Sequence, residues 1–216
     1  MNTDNSWWPN WYATATDDEK RLIQKISEFE EEQHLFDDML FQEGSSTYEL
    51  LKIQRKSLDS NEFVDDVYRP EEVLDYFDYT WFHFYVSEPN VGEGEFCEAD
   101  QTLTVSPAVL EDGITIPHEL IHLHEFVIND LPMYYHDMVY WALYKDLRNK
   151  IPDLDDIITG HAHLLTGSIL QDEGGTHDIL FLLKSFDMDI RMGYPLGTVF
   201  AYGRADIFKS YSYNRD

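Results

Sequence analysis

Cysteine is nearly missing from this chain. Cys97 stands alone, so an internal disulfide and a cysteine-ligated zinc ribbon are both excluded, and a reducing, cytoplasmic location is expected. Long apolar runs are missing as well. None approaches the roughly 18 residues of a membrane-spanning helix, and the opening stretch Met1 to Trp8 has no positively charged segment leading into an apolar one, so neither an anchor nor a secretory signal is expected. Basic residues are the third scarcity. Fifteen Lys and Arg face 42 Asp and Glu, giving a formal net charge of −27. Between Ser57 and Tyr144 a single basic residue, Arg69, stands against nineteen acidic ones. Such a field repels phosphate backbones and anionic lipid, so nucleic acid and membranes are not expected as partners. It attracts basic proteins, basic peptides and cations.

What is present is enough apolar side chain for a core. Hydrophobic residues form 43% and aromatic residues 15% of the 216 positions, which argues for a folded domain over disorder. The length suits one domain spanning 1–216, with its chemistry expected in about 80–150 and an extension over about 152–216. Trp7, Trp8 and Trp11 form an aromatic cluster near the start, expected to dock on the core. Thr16-Asp17-Asp18-Glu19 has the form of a capping box, and Leu22, Ile26, Phe29, Phe36 and Leu40 then recur at helical spacing up to Gly44. Ser46 to Glu49 and Arg69 to Glu72 read as two further helix starts. From Thr80 the pattern changes. Trp81 to Val86 reads as a strand, Pro89 to Gly94 as a loop, and Thr102 to Ser106 as a second strand stopped by Pro107. Helices are expected from Ile116 to about Ile128 and from Pro132 to about Lys150, separated by Asn129 to Pro132. Another runs through Ile179, Leu180, Leu183 and Phe186, and a Gly- and Tyr-rich tail around Thr198 to Tyr202 follows.

One segment carries chemistry: His118-Glu119-Leu120-Ile121-His122. Residues four apart on a helix share a face, with Cβ atoms roughly 5–6 Å apart, so two imidazoles can converge on one zinc ion at about 2.0–2.1 Å each. Glu119 projects beside that face, where its carboxylate can take a proton from a zinc-activated water without being a ligand.

A catalytic zinc takes three protein ligands and keeps one open position. The leading candidate for the third is His136, near the start of the next helix. It shares a stripe with Val139, Tyr140, Leu143 and Leu147 that should pack inward. Glu173 is the rival, giving a site of two histidines and one glutamate. His161, His163, Asp172 and the pair His177-Asp178 lie beyond a stretch whose pattern does not resolve into elements. Glu125 falls on the face of His118 and His122, one turn further, suited to contact a ligand or substrate. His124 points off that face and is expected at the surface. His34 and His83 belong to no metal-binding motif in the sequence. Cys97 reads as an incidental small residue.

His118-Glu119-Leu120-Ile121-His122, thirteen intervening residues, and then His136 within Tyr135-His136-Asp137-Met138-Val139-Tyr140-Trp141 resemble the zincin metallopeptidases, and among them the SprT-like group. The resemblance covers roughly residues 80–150. It implies zinc on His118, His122 and His136, a general base at Glu119, and a strand at Leu103 to Pro107 that forms the upper edge of the cleft and pairs with peptide substrate. Asp137 stands where that group often carries glycine, and residues from Pro152 onward match nothing in it. The group's best-known members act on proteins crosslinked to DNA, which suits this acidic chain poorly, so the chemistry is carried over and the substrate is not. The expectation is an α+β, zincin-like fold: N-terminal helices, a small mixed sheet, the His-Glu-x-x-His helix, then a second helix carrying the third ligand. The expected activity is zinc-dependent hydrolysis of peptide bonds in a peptide or basic protein, by a zinc-activated water with Glu119 as base. The alternative is a zinc-containing module that captures a basic protein on its acidic surface without turnover.

Overall fold

The structure is a computed structural model that describes residues 14–33, 83–89, 92–111, 113–129, 133–162, 165, 177–201 and 205–214. Among these it is a mixed α+β arrangement of five α-helices and one three-stranded sheet. The Trp cluster and the helix starts at Ser46 and Arg69 lie outside the described residues, as does Gly44.

Helix α1, Asp17–Gln33, opens with the expected capping box. The Glu19 backbone N–H donates to Thr16 Oγ1 at 3.2 Å, and the Thr16 N–H donates to Glu19 Oε2 at 2.6 Å. Two N–H groups that no helical carbonyl can reach are thereby satisfied. Leu22, Ile23 and Ile26 bury one face of α1.

The sheet contains β1 (His83–Val86), β2 (Gly94–Cys97) and β3 (Thr102–Val105) in the order β1-β3-β2. β3 is parallel to β1, with Phe84 opposite Leu103, and antiparallel to β2, with Phe96 opposite Leu103. β1 and β3 were expected. β2 was not, because Gly-Glu-Phe-Cys is short and has no apolar–polar alternation; its first residue is buried and the next three are half-buried. The consequence is a correction. β3 is paired on both sides, so Leu103 to Val105 cannot offer its edge to a peptide, and among the described residues β2 is the outer strand next to the motif helix. Ser106 closes β3, its Oγ accepting from the Ala108 N–H at 3.2 Å as Pro107 starts a short 3-10 turn.

Helix α2, Thr115–Asn129, is the hinge of the architecture. Pro117 sits in its first turn, where a missing N–H costs no helical bond. Ile116, Leu120 and Leu123 point into a core shared with α1 and the sheet, while Ile121 joins a second core. That second core is built from α3 (Met133–Lys150) through Val139, Leu143 and Leu147, from α4 (Leu154–Gly160) through Leu154 and Ile157, and from α5 (Ile179–Met192). Every residue from Leu180 to Asp189 is buried. A helix buried all round is a central element, and α5, drawn from the part expected to be an extension, packs against both α2 and α3. No helix among the described residues is long and apolar enough to cross a membrane.

Candidate metal centre

Three imidazoles meet between α2 and the start of α5. His118 and His122 are one turn apart on the stripe of α2 that faces α5, with ring centroids 5.1 Å apart. His177 comes from the other side. It precedes Asp178, the N-cap of α5, whose side chain accepts from the Phe181 N–H at 2.8 Å; the cap fixes where the chain enters the helix and so sets the ring of His177 at its tip. Nε2 of His177 stands 3.0 Å from Nε2 of His118 and 3.2 Å from Nε2 of His122.

Hydrogen bonding among these rings is a poor account of that geometry. The Val199 carbonyl can only accept, so His118 Nδ1, 2.8 Å away, carries the proton and donates it. Burial pushes the His118 pKa down to about 3, so the ring is neutral and its Nε2 is a bare lone pair. His122 is pushed down to about 2, first by burial and then by the neighbouring rings, and His177 to about 4 by burial. Three neutral rings thus aim Nε2 atoms at one point. Two nitrogens about 2.0–2.1 Å from one tetrahedral ion stand roughly 3.3 Å apart, close to the separations found. The donor set fits a divalent metal, and neutral imidazole suits zinc, copper, iron and nickel. His118 is buried, while His122 and His177 are half-buried, so solvent reaches the cluster from their side. Among the described residues no fourth Cys, His, Asp or Glu joins the group.

An apolar ring backs the centre, and buried ionisable groups occur along the same two helices. The Phe181 ring lies against all three histidines, with centroids 4.8, 4.4 and 4.3 Å from those of His118, His122 and His177. Glu119 is buried and lies against β2. A Cβ placed on Gly94 would come within 2.8 Å of Glu119 Cγ and 2.9 Å of its Oε1, so the strand approaches this carboxylate as closely as glycine allows. Glu125 is paired with Lys184 of α5 at 3.7 Å. Burial pushes Glu125 up to about 8 and Lys184 down to about 8, each toward its neutral form. Asp189 is pushed up to about 7 by burial, against the pull of the Val199, Gly197 and Thr198 N–H groups.

The expected site is therefore partly assembled. His118 and His122 converge as the spacing requires. His136 lies on α3, but its side chain is outside the described residues, as is Glu173; the third imidazole beside the motif pair is His177. His124 is a correction. It is buried, not at the surface, because α2 packs against the sheet on one side and α3 and α5 on the other, leaving no solvent face at that position. His161 serves a structural contact instead, its Nδ1–H donating to the Ile157 carbonyl at 3.0 Å and its ring packing on Phe208. The one sequence signal for His177 was its place beside an acidic N-cap ahead of an apolar helix.

No family model matches this chain, and no match is found among curated proteins or solved structures.

Proposed function

We propose that His118, His122 and His177 hold one zinc ion and that the protein hydrolyses peptide bonds in basic peptides or proteins, with Glu119 as general base, in a zincin-like fold. The observation that carries this reading is the convergence of three neutral imidazoles, two from α2 and one just ahead of α5, with His177 Nε2 3.0 Å from His118 Nε2 and 3.2 Å from His122 Nε2 and the cluster open to solvent on one side. Three protein ligands with a position left open are the pattern of catalytic zinc, whereas structural zinc takes four. Bound there, zinc would supply Lewis acidity, polarising a scissile carbonyl and acidifying a water.

The chain's own residues do the rest. The Glu119 carboxylate takes the proton released as water adds to the carbonyl, then delivers it to the leaving amine nitrogen. Glu119 sits between the two motif histidines, and Gly94 limits where its carboxylate can lie. His118 is held as the Nδ1–H tautomer by the Val199 carbonyl, the outer hydrogen bond that orients a metal-binding imidazole. The acidic excess favours cationic substrates at the encounter stage. From the SprT-like resemblance the proposal keeps the motif helix and its base, and takes its third ligand from α5.

Metal analysis and cleavage assays test it together. Purified protein should hold about one zinc per chain and cut denatured casein or a mixed peptide library. Glu119→Gln should keep the metal and lose cleavage. Zinc retained after His118 and His122 are both replaced by Ala would reject the site. A wild-type protein that holds zinc, cuts nothing and captures a basic protein tightly would establish the binding module in its place.

A further inference from the structure

Asp189 has no exposed surface and sits in the last turn of α5. Both facts weigh against a carboxylate there. Burial strips its hydration, and the carbonyl end of a helix repels negative charge. What offsets this is the turn that follows. The Gly197 N–H donates to Asp189 Oδ2 at 2.6 Å and the Val199 N–H to Oδ1 at 3.0 Å. Gly197 adopts φ +83, and a Cβ there would lie 2.0 Å from the Phe208 ring, so the turn is held from both sides. On its far side the same turn presents the Val199 carbonyl to His118 Nδ1 at 2.8 Å.

We infer that Asp189 is a positioning residue for the imidazole centre: it fixes the 197–199 turn so that the Val199 carbonyl holds His118 as the Nδ1–H tautomer, with Nε2 turned toward His122 and His177. The importance of this for metal rests on the zinc reading above; the effect on the tautomer does not. A neutral amide cannot replace the carboxylate. In Asp189→Asn one oxygen can still accept, but the NH2 group meets the second N–H donor to donor, so one of the two bonds is lost and the carbonyl is released.

The test is nitrogen-15 NMR of the histidine side chains in the metal-free protein, with zinc affinity measured by competition against a chromophoric chelator. Leu154→Ala, a core variant in α4 that leaves Asp189 and its hydrogen bonds in place, controls for lowered stability alone. Asp189→Asn should convert His118 from one tautomer to a mixture and weaken zinc by about 10- to 100-fold, the usual cost of losing outer support for a ligand. Leu154→Ala should leave the tautomer unchanged. A folded Asp189→Asn protein with the wild-type tautomer and zinc affinity within about threefold of wild type would overturn the inference. Should Asp189→Asn not fold, the wild-type spectrum decides. A slowly exchanging Nδ1 proton on His118 supports the arrangement, and an Nε2–H tautomer overturns it. If wild type binds no zinc and Asp189→Asn still shifts the tautomer, the positioning role stands and the zinc reading falls.

Discussion

His177 and His118 bring their Nε2 atoms to 3.0 Å across 59 positions of sequence. The contact joins α2 to the tip of α5, so the centre exists only when those two helices are docked. Phe181, in the first turn of α5, backs both rings. Ligand geometry and fold stability are coupled here, because anything that shifts α5 along α2 moves one nitrogen relative to the other two.

The third ligand can be tested directly. His177→Ala should lower zinc affinity by more than the roughly 10- to 100-fold expected for loss of an outer contact, since it removes a donor atom. His136→Ala should leave affinity near wild type. Chelator competition on both variants settles the matter, and the reverse ranking would move the third ligand to α3.

Local signals made much of this visible in the chain. The capping box at Thr16, the strands at 83–86 and 102–105, and the helices around His118 and Val139 all follow from short-range patterns, and the structure contains them. What the sequence hid is tertiary. β2 carries no alternation and is a strand because β3 pairs with it. α5 reads as an amphipathic helix, yet buries Lys184, Ser185, Asp187 and Asp189 along with its apolar residues. His136 is the third ligand that local signals favour, because it is near His122 in sequence and carries an apolar stripe, whereas His177 is found beside the motif pair only through the fold. Nothing local reports that Asp178 caps a central helix that returns to α2. The His124 expectation failed for the same reason, since a helix packed on several sides leaves no face for which periodicity predicts exposure.

The three buried imidazoles should cost the metal-free protein stability on acidification, while the carboxyls of Glu125 and Asp189, pushed up by burial, take up protons in the folded state over the same range and act in the opposite sense. His118, His122 and His177 are pushed down to about 3, 2 and 4, chiefly by burial, from an ordinary 6.5. The unfolded chain therefore binds protons below pH 6.5 while the folded one does not. The stability these rings contribute is complete above that pH and drains away as pH falls toward the folded values. By pH 5 the loss is about 2 kcal/mol for each ring that stays neutral. Urea titrations of metal-free wild type and of His177→Ala at pH 7.5, 6 and 5 share the carboxyl contribution, so the wild-type midpoint should fall more steeply with acid than that of the variant, and equal slopes would mean that the ring is not buried as described. Zinc should raise the midpoint most at the upper end, where protons do not compete for Nε2.

The Glu125–Lys184 pair should matter through its imbalance, not its strength. Among the described residues neither Glu125 Oε1 nor Lys184 Nζ has a hydrogen-bond partner, and they stand 3.7 Å apart in the interior. Such a pair gains little over an apolar replacement, but losing one member strands the other. Lys184→Met should cost about 1–3 kcal/mol, because it leaves the buried Glu125 carboxyl, already pushed toward its neutral form, without its partner, and Glu125→Leu combined with Lys184→Met should recover most of it. A double-mutant cycle in urea measures the coupling. Lys184→Met as stable as wild type would show that the pair is not dry.

Gly94 offers a way to disturb Glu119 without touching its chemistry. The strand comes so close that an added methyl would lie 2.7 Å from Thr115 Cγ2, 2.8 Å from Glu119 Cγ and 2.9 Å from Glu119 Oε1. Gly94→Ala must therefore push the side chain aside or lift β2 from α2. Overpacking of this kind costs about 1–3 kcal/mol, which the melting curve should register. The three atoms nearest the added methyl belong to Thr115 and Glu119 and none to a histidine, so the zinc content should hold at the wild-type level. Cleavage should fall toward that of Glu119→Gln, because the carboxylate keeps its charge but loses its place. If Gly94→Ala shows the expected loss of stability yet cuts casein at the wild-type rate, then the position of Glu119 against β2 is irrelevant to turnover, and its role as the base would have to pass to another group.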